Sequence, residues 1–266
     1  MASRKWVLAA AGWAAATAAG APAYAAPGFV SHRAAYELKL VEGAGTKAPA
    51  SASGIIAFDF DAACAGYVQT LRQAIDIQPQ EGARRLTESR TTTFESRDGG
   101  EFRFNILSSG DTTEGHAERN AKGVEIALSR PRPHHFSGGD ALFPTEHLAK
   151  VLTAAQKGEK ILLARVYDGT DDGEKIFDVT AVIGAVDAKP DPDRAAIDPA
   201  LLGLKRWPVA LSYFAHDNRD GTPEYILAFN LYENGVSTGL RLDYGQFVLT
   251  GELTKIEFRP PAKCGK

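Results

Sequence analysis

The side chains best suited to chemistry are concentrated between positions 134 and 147 of this 266-residue chain. His134 and His135 are adjacent, His147 follows, and Asp140 and Glu146 lie among them. Histidine and carboxylate groups are the ligands with which proteins hold zinc and activate a bound water. The spacing argues against such a site, because the H-E-x-x-H motif is missing. His134 and His135 would point to opposite sides of an extended chain. Glu146 and His147 are consecutive on the predicted helix, so their side chains diverge. We predict no metal site and no catalytic residues here, and a metal-dependent hydrolase is the weaker alternative.

Two shorter motifs also suggest chemistry. Residues 235–239 (GVSTG) match G-x-S-x-G, the nucleophile elbow of hydrolases, which needs a strand before it and a helix after it. Here residues 240–244 alternate as a strand, and Asn234-Gly235 is typical of a hairpin turn. Residues 168–173 (DGTDDG) resemble the start of a calcium loop, but Val179 stands where a bidentate Glu is required. Both motifs are predicted to be turns between strands, and a weak surface cation site at the second is the alternative.

Aromatic side chains in the alternating segments have two interpretations. They include Phe58, Phe60, Phe102, Phe104, Phe229 and Tyr244. In a closed eight-stranded barrel such rings would fill the interior, whereas in a wider or open barrel they would line an apolar cavity for a small ligand. The sequence leaves both interpretations open. It contains neither a Walker loop nor a dinucleotide fingerprint, so we predict no cofactor.

The segments that carry these side chains alternate apolar and polar residues with a period of two, which is typical of half-buried strands. Strands are predicted at residues 35–40, 54–60, 85–96, 101–107, 124–128, 161–167, 174–183, 208–214, 224–232, 237–244 and 247–258. No linker or internal repeat interrupts them. About twelve short strands with one main helix predict a mainly β fold, either a single antiparallel barrel or a rolled, spiral sheet.

One helix is predicted near residues 144–157. Pro144 suits a first turn because its missing N–H costs nothing there, apolar residues follow at i, i+3, i+4 and i+7, and Gly158 is a suitable stop. The preceding residues 130–135 (RPRPHH) are predicted to be a loop. Residues 189–199 (KPDPDRAAIDP) are also predicted to be a loop, followed by a helical turn at residues 199–204.

Residues 1–25 have the features of a signal peptide. Arg4 and Lys5 precede an apolar, Ala-rich run, and residues 23–25 (AYA) supply the small-x-small cleavage pattern. We therefore expect residues 26–266 to form one exported domain located in the periplasm, with cleavage near Ala25 and no transmembrane segment. The mature chain would have 28 basic and 33 acidic side chains, a balance that gives no support for nucleic acid binding.

The chain has two cysteines, Cys64 and Cys264. In an oxidising compartment an even number of cysteines favours a disulfide, and two separate buried thiols are the alternative. We predict a structural disulfide between them. Such a bond argues for one closed unit and leaves no free thiol for catalysis.

Several stretches together resemble the EipB family, which comprises periplasmic proteins for cell-envelope integrity in alphaproteobacteria and was long a domain of unknown function. They are residues 141–147 (ALFPTEH), 167–175 (YDGTDDGEK), 207–214 (WPVALSYF), 233–237 (ENGVS) and 243–245 (DYG), with the two cysteines. The resemblance covers essentially the whole mature chain, apart from Gln246, where an acidic residue is expected. It implies an antiparallel sheet of many strands rolled into a spiral barrel, an internal disulfide and a role in envelope homeostasis. It carries over no catalytic residue.

These observations lead to one functional prediction. We expect a non-enzymatic periplasmic protein that supports envelope integrity by binding a lipid, a glycan or a protein segment, with the ligand-binding residues unassigned. A periplasmic carrier of lipid or lipoprotein is the alternative. The expected partner is a component of the envelope, either lipid, glycan or periplasmic protein, and not a nucleic acid.

Overall fold

A computed structural model describes residues 28–43, 45, 48–216 and 221–264 of the chain. The predicted signal peptide, residues 1–25, lies outside the described residues. None of the helices in the described part is long and apolar enough to cross a membrane.

The described chain contains fourteen strands and one α-helix. The strands are β1 (His32–Gly43), β2 (Ser51–Ala62), β3 (Gly66–Gln78), β4 (Arg85–Ser96), β5 (Glu101–Ser108), β6 (Asp111–Asn120), β7 (Gly123–Arg130), β8 (His134–Gly139), β9 (Ile161–Val166), β10 (Phe177–Ile183), β11 (Arg206–Ala215), β12 (Tyr225–Tyr232), β13 (Ser237–Asp243) and β14 (Phe247–Phe258). The helix α1 (Pro144–Lys157) separates β8 from β9, and a short 3-10 helix (Arg194–Ile197) precedes β11.

All fourteen strands belong to one antiparallel sheet. Its order is β8-β7-β6-β5-β4-β3-β2-β1-β14-β13-β12-β11-β10-β9. Strands that are consecutive in sequence pair within β1–β8 and within β9–β14, and the pairing of β1 with β14 joins these two halves. The edge strands β8 and β9 do not pair with each other along their length. A bridge between Leu142 and Val166 and an ion pair between Asp140 and Arg165 tie the segment before α1 to the end of β9. The sheet is therefore an open spiral, which is one of the two arrangements that the strand pattern left open and the one that the family resemblance implied.

The alternation of the strands divides the sheet into an inner and an outer face. In β10, Phe177, Val179 and Ala181 are buried while the residues between them face outward. Inner side chains form three apolar clusters: one between α1 and β9–β12, one among β1–β3 and β14, and one among β5–β7 and the segment before α1. Strands with one buried and one solvated face produce this pattern in antiparallel sheets.

Helix α1 lies against the inner face and is fixed at its N-terminus by the sheet. Pro144 occupies the first turn, and Gly158 ends the helix in the left-handed conformation with φ of 79°. The buried carboxylate of Glu95 on β4 accepts hydrogen bonds from the backbone N–H groups of Thr145 and Glu146, both at 2.7 Å. Because the first N–H groups of a helix have no partner within it, Glu95 supplies the cap that the sequence before Pro144 lacks.

The Asp-rich loop before β11 is hydrogen-bonded to β12, β13 and β14. One oxygen of Asp193 accepts hydrogen bonds from the N–H groups of Gly239 and Leu253, both at 2.8 Å, just beyond the point where the ladder between β13 and β14 stops. Asp191 accepts from the hydroxyls of Tyr232 and Thr238. These carboxylates satisfy polar groups that the sheet leaves unpaired.

The predicted fold class and the helix are confirmed, and several boundaries are wrong. Residues 130–135 do not form one loop, since His134 and His135 begin β8 directly after the two prolines. Strands β3 and β6 were not predicted, because the inner face of β3 includes two glutamines and that of β6 has only the small residues Thr113, Gly115 and Ala117 at its centre. The 3-10 helix at Arg194–Ile197 lies within the segment that was predicted to be a loop. The turn predicted at residues 199–204 follows it, and there the N–H groups of Leu201 and Leu202 donate to the carbonyl of Asp198.

Candidate ligand cavity

The interior of the spiral contains a cavity of about 330 Å³ between the first and second apolar clusters. The inner faces of β1–β3 form one wall and those of β11–β13 form the other, while the first turns of α1 lie across one side. Sites for small apolar ligands usually measure roughly 300–1,000 Å³. The cavity is therefore large enough for one chain or ring system.

The cavity walls are mainly apolar. Phe58 and Phe60 from β2 face Leu227 and Phe229 from β12 across the space. The hydroxyl of Tyr36 on β1 donates a hydrogen bond to the carbonyl of Ser237 at 2.8 Å, which ties the two walls together at the level of β13. Thus the interior is neither fully packed nor fully open, and the aromatic residues serve both as core and as lining.

His147 brings an unpartnered polar atom to this cavity. Its side chain lies on α1, is 2% exposed and lines the space. Nε2 of His147 has no hydrogen-bond partner in the described part of the chain. Burial, with a smaller contribution from Lys150, lowers the pKa of His147 to about 4. The imidazole is therefore neutral at ordinary pH, and an unsatisfied nitrogen in such a place is the atom that a bound ligand would engage.

Asp168 contributes a second polar group from the loop after β9. One carboxylate oxygen accepts hydrogen bonds from the backbone N–H and the hydroxyl of Thr170, at 3.0 and 2.6 Å. Burial raises the pKa of Asp168. Nearby, Tyr167 donates its hydroxyl to the carbonyl of Gly173 at 2.8 Å, which holds the loop against the third apolar cluster.

Three further polar side chains at the cavity are either paired or held neutral. Gln69 donates to the hydroxyl of Thr145 at 2.8 Å, which ties β3 to α1. Burial lowers the pKa of His32, whose Nδ1 donates to the carbonyl of Val30 at 2.8 Å. Burial also raises the pKa of Tyr213 above its usual range. Each of these shifts favours the uncharged form of its group, so the cavity suits an uncharged, apolar part of a ligand.

The histidines considered for metal binding do not converge. His134 stacks on Phe136 with ring centroids 5.3 Å apart, and its neighbour His135 is exposed on β8, while His147 lies in the cavity. Asp140 pairs with Arg165, and Glu146 pairs with Arg119 and Lys150. Among residues 28–43, 45, 48–216 and 221–264, no three His, Cys, Asp or Glu side chains form a cluster that could hold a metal ion.

The two shorter motifs are turns in the structure. Gly235, with φ of 89°, makes the turn into β13, and a Cβ there would come within 2.5 Å of the ring of Phe29. No helix follows it, so the nucleophile-elbow geometry is absent from residues 235–243. In the DGTDDG loop, Lys175 pairs with Asp171 and Glu224, and Asp172 accepts the N–H of Glu174.

Cys64 and Cys264 are joined by a disulfide in the structure. Cys64 lies between β2 and β3, Cys264 lies beyond β14, and their Cα atoms are 5.5 Å apart across a sequence separation of 200 residues. The bond attaches the C-terminal segment to the sheet near the start of β3. The sequence pointed to this pair, but it did not predict that His147 and Asp168 line a cavity, and both drew attention only as possible ligands of metal ions.

The fold and the cavity define a class of mainly β proteins in which one long antiparallel sheet coils around a ligand-sized apolar space. The chain belongs to the EipB-like family, whose family model matches residues 23–260. It is similar to a protein named cell envelope integrity protein EipB from Brucella abortus (strain 2308), with 30% identity over 253 residues that cover 92% of this chain and 90% of the relative. It is also similar to a crystal structure described as a beta-barrel-like protein of a domain of unknown function from Brucella abortus. That match has a TM-score of 0.83 at 28% identity and covers 87% of this chain and 99% of the other.

Proposed function

We propose that this chain is a non-enzymatic binding protein of the cell envelope that holds one acyl chain of a lipid in the cavity. The observation that carries the proposal is the mainly apolar space of about 330 Å³ with the unsatisfied Nε2 of His147 at its edge. The acyl chain would lie between the aromatic walls, and a hydroxyl or carbonyl of the same lipid would bond to His147.

An acyl chain fits this space better than the other ligands that the sequence suggested. A glycan or an extended protein segment brings many hydrogen-bonding groups, and each buried group without a partner costs roughly 1–3 kcal/mol. The walls offer few such partners, because Gln69 and Tyr36 already bond within the protein. Each buried CH₂ of an acyl chain, in contrast, contributes about 0.8 kcal/mol.

The place of action is proposed to be the periplasm, with a role in envelope integrity. The name of the Brucella relative supports this role, and the disulfide supports an oxidising compartment. We further propose that residues 1–25 are removed on export and that residues 26–266 act as one domain, stapled by Cys64 and Cys264.

Mass spectrometry of the protein purified from the periplasm tests the binding proposal. Native spectra should contain a lipid-bound species, and extraction should release a molecule with an acyl chain. The variant Leu227→Trp places a large ring in the cavity and should lose this species, whereas Ile226→Trp, whose side chain alternates to the outer face of the same strand, should keep it. Absence of lipid from the wild-type protein, or equal loss in both variants, would contradict the proposal.

Growth under envelope stress tests the proposed role. A deletion strain should be sensitive to detergent and to cell-wall antibiotics, and the wild-type chain and Ile226→Trp should restore resistance. Leu227→Trp should fail to restore it although the protein accumulates normally. Resistance of the deletion strain equal to that of the wild type would argue against the role.

A further inference from the structure

A row of residues crosses the outer face of the sheet at its centre. Cross-strand register places them side by side on β14, β1, β2, β3 and β4, in the order Lys255, Ala35, Ala57, Arg72 and Arg90. Because the two alanines have short side chains, the surface is depressed between the lysine and the arginines. Arg72 and Arg90 stand directly opposite each other and are exposed.

These two arginines lack the acidic partners that other arginines of the same face have. Arg33 pairs with Asp59 at 2.8 Å, and Arg103 pairs with Glu101 at 2.8 Å. Within the described residues, no carboxylate lies within ion-pair distance of Arg72 or Arg90. Like charges directly opposite in a sheet are destabilising, so the fold leaves two guanidinium groups with unmatched positive charge.

Exposed apolar side chains adjoin the arginine pair on one side, and the depression on the other side is lined by charged groups that include Asp59 and Glu257. Two depressions of about 530 and 700 Å³ share Ala57, Arg72 and Arg90 as lining. The second also contains three large apolar side chains: Ile55, Leu86 and Leu107 are 56%, 64% and 44% exposed. Leu107 lies opposite Arg90 in the register of β4 and β5. The face thus combines unpaired cations with uncovered hydrophobic surface.

We propose that this outer face docks on the surface of a membrane that contains anionic phospholipids. Arg72 and Arg90 would each bind lipid phosphate, for which the planar guanidinium is suited, and Ile55, Leu86 and Leu107 would enter the headgroup region. The full chain has a net charge of −3, so overall charge does not drive it to an anionic surface. The attraction must come from this local face, where basic residues adjoin apolar ones.

A phospholipid surface fits better than a soluble phosphate compound, because free phosphate offers nothing to the three apolar side chains. The proposal is independent of the cavity. It concerns the outer face of β2–β5, whereas the cavity lies on the inner face of the same sheet. A protein with a blocked cavity should therefore still bind the membrane.

Vesicle co-sedimentation of the protein purified from the periplasm tests the proposal. Vesicles of phosphatidylcholine mixed equally with phosphatidylglycerol should sediment the protein, and vesicles of phosphatidylcholine alone should sediment much less. Since one basic residue near an anionic surface contributes about 1 kcal/mol, the double variant Arg72→Gln/Arg90→Gln should partition about 30-fold more weakly. Added sodium chloride should weaken the wild type more than the double variant.

Matched variants distinguish the effect of the outer-face arginines from the effect of a change in net charge. Lys122→Gln/Lys160→Gln makes the same charge change at exposed sites without ion pairs in the described chain and should bind as the wild type does. Glu88→Gln removes a carboxylate that lines the apolar depression and should strengthen binding. Leu86→Ser should weaken it, and Leu227→Trp should not change it. An unchanged circular-dichroism spectrum and thermal midpoint would show that the exposed substitutions leave the fold intact.

Three results would overturn the proposal. The first is equal sedimentation with neutral and anionic vesicles. The second is an equal loss of binding in the arginine and lysine double variants. The third is complete displacement from anionic vesicles by inorganic phosphate at an ionic strength where sodium chloride has no effect, which would make the arginines a site for free phosphate.

Discussion

At the scale of single residues, His147 is a polar group that the apolar interior does not satisfy. A buried nitrogen without a partner costs roughly 1–3 kcal/mol, and apolar replacement of similar size removes that cost. We expect His147→Leu to raise the free energy of unfolding of the ligand-free protein by about that amount near neutral pH. Denaturation in urea measures it, with the exposed His135→Leu as a control that should change stability little. A loss of stability in His147→Leu would show that Nε2 is satisfied within the protein.

The lowered pKa of His147 also predicts how that difference depends on pH. The folded protein holds the imidazole neutral down to a pKa of about 4, whereas the unfolded chain protonates it near 6.5. The free energy of unfolding is therefore insensitive to this group above pH 6.5. It decreases as the pH falls from 6.5 toward 4, because there the unfolded chain is protonated at His147 and the folded protein is not. Relative to His147→Leu, the wild type should lose about 1.4 kcal/mol per pH unit across this window. A difference between the two proteins that is independent of pH would contradict the assignment.

At the scale of the element, the N-terminus of α1 depends on Glu95 on a distant strand. Burial raises the pKa of Glu95 to about 7, from an ordinary value of 4.5. A raised carboxyl pKa contributes stability that is fully present below pH 4.5 and is lost as the pH rises through 7. The free energy of unfolding of the wild type, relative to Glu95→Gln, should therefore fall by about 1.4 kcal/mol per pH unit between these values.

Urea denaturation over the same pH range measures the effect of Glu95, and Glu118→Gln on the exposed face of β6 is the control. The free energy of unfolding changes with pH in opposite directions for the two groups. Relative to the wild type, His147→Leu should therefore become more stable in acid and Glu95→Gln less stable. If the backbone donors of Thr145 and Glu146 instead held Glu95 charged, the slope would reverse. Amide exchange at these two donors should be faster in Glu95→Gln, because the amide side chain offers only one acceptor oxygen.

The elements also show where sequence patterns were sufficient and where they failed. Helix α1 was predictable because Pro144, a 3.6-residue apolar period and Gly158 agree locally. Strand β3 was not predictable, since Gln69 and Gln73 face the interior and break the alternation that identifies a strand. The partner of the helix N-terminus lies 50 residues away at Glu95, a distance that no local motif covers. Polar groups that face the cavity are thus the ones that sequence periodicity misreads.

At the scale of the whole molecule, the disulfide closes the chain from residue 64 to residue 264 into one loop. The chain-entropy model gives roughly 5 kcal/mol for a loop of this length, and measured values are often smaller. We expect Cys64→Ser/Cys264→Ser to keep the native sheet and to lower the free energy of unfolding by up to about 5 kcal/mol. Urea titration with and without reductant measures it, since the reduced wild type should match the double variant. Equal midpoints for the oxidised and reduced wild type would exclude a stabilising bond.

The sequence was sufficient to predict the fold class of the molecule, a mainly β antiparallel sheet, but not the position of the cavity within it. Alternation and hairpin turns indicated one antiparallel sheet of about twelve strands and left a closed barrel and a rolled spiral as alternatives. Only the family resemblance favoured the spiral. The cavity depends on the distance between β1–β3 and β11–β13, which is set by the curvature of the sheet and is not encoded in any single segment. Residues at its edge, such as His147 and Asp168, could therefore be noticed as reactive types but not assembled into a site.

The pairing of β1 with β14 has a consequence for the order in which the chain can fold. Synthesis delivers the N-terminal half first, and β1–β8 can form successive hairpins from local contacts. The free side of β1 then stays open until Phe247–Phe258, the last strand, has been made. A growing chain thus presents a long unpaired strand edge to its neighbours for most of its biogenesis, and such edges promote intermolecular association. The final twelve-residue strand joins the two halves of the sheet by pairing with β1. Truncation of the C-terminus should therefore yield aggregates and not a smaller folded sheet.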